Sequence, residues 1–99
     1  MSSFDKEWLI EQVNQNPGSA FFPVLSHLYL KDKEIKNAQS VCQKGLGLFP
    51  ESIEGNFIMA QIQILGANLL DAEKTLKFVV NRHSAHVNAW KLLFRIQKD

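Results

Sequence analysis

The side chains in this chain best suited to metal binding or covalent chemistry are three histidines and one cysteine. His83 and His86 have a spacing that a metal ion could accept. They straddle a predicted helix break with no cysteine nearby, so they read as surface histidines at a turn. Cys42 lies in an apolar stripe with Ala38 and Leu46 and reads as a small buried hydrophobe, not a nucleophile. Serine, histidine and aspartate are all present, but nothing in their spacing implies a triad. There is no G-x-G-x-x-G, no phosphate loop and no H-E-x-x-H. No catalytic residue, metal site or cofactor is assigned, and the expectation is a protein that is not an enzyme.

Composition narrows the class further. Ninety-nine residues make one domain at most. The chain is 45% hydrophobic and 21% charged, the balance of an ordinary globular domain. A net charge of +1 gives no electrostatic case for nucleic acid or an anionic membrane as partner. The single cysteine rules out an internal disulfide and fits a reducing compartment. The first residues form no secretory signal and no apolar run is long enough for a membrane span, so a cytoplasmic location is expected.

The elements that must position these residues are helical. Apolar residues recur at helical spacing, and nothing alternates with period two, so six helices and no strands are expected. The spacing predicts helices over residues 4–15, 19–31, 34–48, 52–65, 69–82 and 86–97. Ser2 or Ser3 caps the first, with Asp5 and Glu7 near its positive end. Pro23 moves the start of regular helix in the second to Phe22. Gly45 and Gly47 weaken the third. Asn68 followed by Asp71 resembles a capped start for the fifth.

A longer period overlies the helical one. Phe22, Leu25, Ser26 and Tyr29 are followed by Ala38, Cys42 and Pro50. About 34 residues later much of this returns: Leu25 maps to Met59 and Leu93, Ser26 to Ala60, Leu28 to Ile62 and Ile96, Ala38 to Ala72 and Cys42 to Leu76. The pattern resembles that of the tetratricopeptide repeat, over residues 19–97. Asn56, Gln63 and Ser84 depart from it in the second repeat. The resemblance implies an all-α superhelix of antiparallel helix pairs, with Ala38 packing near Ser26 and Ala72 near Ala60. The single domain then divides into an N-terminal cap helix (1–18), two repeats (19–52 and 53–86) and a closing helix (87–99).

In that family the first helices of successive repeats line a concave groove. Carried over, the groove positions are Ala20, Pro23, His27, Leu30 and Lys31, then Glu54, Phe57, Gln61, Ile64 and Leu65, then Asn88, Lys91, Arg95 and Lys98. Pro23 and His27 stand where a chaperone-binding member needs a lysine and an asparagine, so a grip on a terminal carboxylate is not expected. The groove is apolar in its middle and basic towards the C-terminal end. The expected function is a protein-interaction module that takes another protein's peptide or helix, apolar with acidic character.

A second expectation is self-assembly. Phe94 falls in the slot held by Ser26 and Ala60, where a large ring blocks a following helix. With Trp90 it makes the closing helix broadly apolar, a candidate contact for a homodimer. The first helix, with Phe4, Trp8, Leu9, Ile10 and Val13, poses the same question. Single-stranded RNA binding would need a basic reading face, which the near-neutral charge does not supply.

Overall fold

The structure, a computed structural model, describes residues 6–97. The expected first-helix start, its serine caps, Phe4, Asp5 and Lys98 lie outside these residues. Among the described residues there are six helices and no strands: α1 (Lys6–Gln15), α2 (Phe22–Lys31), α3 (Ile35–Leu48), α4 (Ile53–Leu65), α5 (Leu69–Arg82) and α6 (Val87–Gln97). Each helix packs on the next, and α2 also packs on α4. The molecule is elongated, 40 × 25 × 25 Å. Among the described residues no helix is long and apolar enough to cross a membrane.

Local sequence explains the helix boundaries. α2 begins at Phe22 with Pro23 in its first turn, where a missing N–H costs nothing. The preceding turn is held by Ser19, whose Oγ accepts from the Phe21 N–H at 3.3 Å. Ser52 caps α4, its Oγ accepting from Gly55 N at 3.0 Å. The cap expected at Asn68 is not made by its side chain, which has no capping hydrogen bond; α5 begins directly after a tight turn instead.

That turn has a counterpart. Glu34 N donates to Tyr29 O and Asn68 N to Gln63 O, each at 2.8 Å, and Lys33 and Ala67 both have positive φ, 64° and 62°. These are Schellman-type helix ends, which place one residue in the left-handed region. They are built alike one sequence period apart, although neither Lys33 nor Ala67 is glycine.

The core forms two clusters that share α4. The first joins Leu9 and Val13 of α1 to Phe22, Leu25, Ala38, Cys42, Ile58 and Ile62. The second joins Ala60 to Leu76, Val79, Val80, Ala89 and Leu93. Ile58 and Ile62 thus face one layer and Ala60 the next, as stacked helix pairs require. Small residues mark the close approaches. Ser26 Oγ donates to the Ala38 carbonyl at 2.8 Å, satisfying a buried hydroxyl across the α2–α3 contact. Ala60 and Ala72 are both fully buried. At the other end, Lys6 pins α1 to the α2–α3 turn, bonding Asp32 at 2.7 Å and Glu34 at 2.8 Å over the Tyr29 ring.

Candidate interaction groove

Three helices from alternate positions in the stack, α2, α4 and α6, present side chains to one face. Two clefts open there. The larger, ≈ 590 Å³, is lined by Pro23, Val24 and His27 of α2, by Glu54, Phe57, Ile58 and Gln61 of α4, and by Asn88, Lys91, Leu92 and Arg95 of α6. The smaller, ≈ 330 Å³, is lined by His27, Leu30, Lys31, Gln61, Ile64, Leu65 and Leu92. His27, Gln61 and Leu92 belong to both, so the clefts adjoin.

All ten residues expected to bind a partner lie on these clefts: His27, Leu30, Lys31, Glu54, Phe57, Gln61, Ile64, Asn88, Lys91 and Arg95. Pro23 and Leu65 join them, and Leu65 is 63% exposed, so it is not a core residue. Ala20 is exposed but lines neither cleft. Sequence reasoning missed Val24, Ile58 and Leu92. They were legible, because the repeat period that links the other groove positions also links these three.

The floor is apolar and the charge is one-sided. Phe57 is half-buried, its ring centroid 4.6 Å from that of His86. His86 is held in turn as the N-cap of α6, its Nδ1 accepting the Ala89 N–H at 3.1 Å. That role was not foreseen, since histidine is an uncommon cap. The His83 ring lies 5.6 Å from the His86 ring. Among the described residues no group of three or more His, Cys, Asp or Glu side chains lies close enough to hold a metal ion.

Lys31, Lys91, Arg95 and Glu54 make no ion pair with any described residue, whereas Lys6, Lys77 and Arg82 each pair with a carboxylate elsewhere. The clefts therefore carry three free cations against one carboxylate, in a chain with a net charge of only +1.

Outside the groove, Cys42 is fully buried and its Sγ donates to the Gly55 carbonyl at 3.2 Å. Burial pushes its thiol up to about 11, the state of an inert structural cysteine. Trp90 is half-buried against the second cluster, its indole N–H donating to the Ser84 carbonyl at 2.8 Å. Phe94, stacked on Trp90 at 5.7 Å, is 64% exposed, with Val87 exposed two turns earlier on the same helix. A small third cleft, ≈ 160 Å³, lies between α1, α2 and α3 beside Tyr29 and Lys44.

In comparisons with known proteins, no family model and no curated protein matches the chain.

Proposed function

We propose that this chain is a non-catalytic protein-interaction module, an adaptor or scaffold of the tetratricopeptide-like kind, that binds a segment of another protein in the groove of α2, α4 and α6. The observation that carries this is the coincidence, on one face, of a half-buried aromatic with free cations around an apolar floor. Such a surface gains from covering Phe57, Ile64 and Leu65 and from pairing Lys91 and Arg95 with acids. We place the protein in the cytoplasm, where its buried thiol stays reduced. The test is capture of partners from a lysate by the parent and by Phe57→Ala. Loss of the same bands from a variant that melts like the parent supports the groove. Equal capture moves the search to the end helices.

A second reading has its own observation. Val87 and Phe94 are 60% and 64% exposed on one stripe of α6. A homodimer formed through that stripe would bury both, and the mass in solution decides it.

A further inference from the structure

Building on the groove reading above, we propose that its occupant is an extended stretch of another protein, with two apolar side chains, one for each cleft, and with its acidic residues at the end away from Glu54.

The two clefts set the anchors. Phe57 floors the larger and Ile64 the smaller. They are seven residues apart on α4, hence about 10 Å along its axis at ~1.5 Å per residue. A polyproline-like extended chain returns to the same face every third residue, after roughly 9 Å. Apolar residues at i and i+3 of the ligand therefore match the two clefts.

The polar midline favours an extended chain over a helix. The side chains of His27 and Gln61 line both clefts and that of Asn88 the larger one, and none of the three side chains hydrogen-bonds a described residue. An extended segment brings free N–H and C=O groups that these side chains can meet. A helix has already satisfied its backbone, and laying one here would desolvate the three without return.

Charge sets the direction. Glu54 lies one turn before Phe57, at the N-terminal end of α4. Lys91 and Arg95 line the larger cleft together with Glu54, and the smaller cleft has Lys31 beside Leu30 and Ile64 and no carboxylate. An acid is repelled at the Glu54 end and paired beyond it.

Selection of short random peptides on the full chain tests this, followed by fluorescence anisotropy with the tightest one. Peptides enriched in two apolar residues three apart, followed or preceded by Asp or Glu, are expected. For that peptide, Phe57→Ala and Ile64→Ala each weaken binding at least about tenfold. Arg95→Gln weakens it less, and lowers its dependence on salt. Glu54→Lys raises affinity for a peptide with acids at both ends. Binders that depend on Phe57 but lack acids or the second anchor overturn this proposal and leave the groove reading standing. Binders that turn helical on binding do the same. Binding indifferent to Phe57→Ala overturns both. A selection that yields no peptide overturns the short extended ligand.

Discussion

The ring of Phe22 fills the space that a β-carbon on Gly45 would occupy. The same ring would stand 2.6 Å from a β-carbon on Gly55. One aromatic side chain from α2 is thus seated in a slot made by two glycines, one on α3 and one on α4. Gly45 is buried, and Gly47, two residues on, faces open space.

The two glycines should respond oppositely to alanine. Gly45→Ala forces Phe22 out of its slot and should cost about 1–3 kcal/mol by overpacking. Gly47→Ala meets nothing and should gain up to about 1 kcal/mol from helix propensity. Urea unfolding of both variants checks this; a stabilised Gly45→Ala would remove Phe22 from its assigned place.

These glycines show what the sequence did and did not disclose. Helix number, helix type and most boundaries were legible because period, proline and turn residues act locally. The residues that line the clefts were legible only through the resemblance to the tetratricopeptide pattern, since the period alone does not say which face is concave. The glycines were read only as weak points in a helix, since the compensating ring lies more than a helix away in sequence. Shifting the slot by one period of 34 residues accounts for the departure of Asn56 from the sequence pattern. Phe22 becomes Asn56, while Gly45 and Gly55 become Val79 and Ala89, both fully buried. With no ring to seat, the larger side chains fill the gap. Asn56 turns outward to tie the loop, donating to the carbonyls of Pro50 at 2.9 Å and Ser52 at 2.8 Å. The His86 cap was illegible because ring orientation decides it and residue type does not.

That cap gives a second prediction. His86→Ala leaves the Ala89 N–H without its side-chain acceptor and should cost about 0.5–2 kcal/mol. His86→Ser should recover most of the loss, because a hydroxyl accepts the same bond. Thermal melts of the three proteins decide it. Equal melts for serine and alanine would mean that ring packing on Phe57, and not the cap, holds the start of α6.

The Lys6 bridge gives a third, in pH. The hydrogen bonds to Asp32 and Glu34 hold the Lys6 ammonium well above its ordinary range. The Lys6 bond, with a smaller contribution from Asn37, holds the Glu34 carboxyl below its ordinary range. A lowered carboxyl stabilises the fold above its unfolded value, ~4.3, and that contribution disappears as pH falls through the folded value. A raised ammonium stabilises below its unfolded value, ~10.4, and is lost as pH rises through the folded one. Attachment of α1 should therefore hold between these limits and loosen outside them. The bridge is exposed, so salt should weaken it too. Hydrogen exchange of α1 amides, compared between parent and Lys6→Met, checks this. Identical exchange at pH 7 would mean that the apolar packing of Trp8, Leu9, Ile10 and Val13 holds the helix without the bridge.

The last prediction separates the two functional readings. Val87 and Phe94 are exposed on α6, while Lys91 and Arg95 of the same helix line the groove. The two surfaces adjoin, because Val87 and Phe94 each lie one turn from Lys91 on the helix, and a glutamate at either would stand beside that cation. Val87→Glu with Phe94→Glu should leave the fold intact, since neither side chain belongs to the core clusters. If α6 joins two copies, the parent should be a dimer by light scattering and the double variant a monomer. If the stripe is simply solvated, both proteins run as monomers at every concentration. The groove reading makes its demand on an uncharged pair, Val87→Gln with Phe94→Gln, which puts no carboxylate beside Lys91: it must still capture the partner lost by Phe57→Ala. A monomeric glutamine pair that loses capture would mean that binding needs two grooves side by side, the gain expected of a bivalent site.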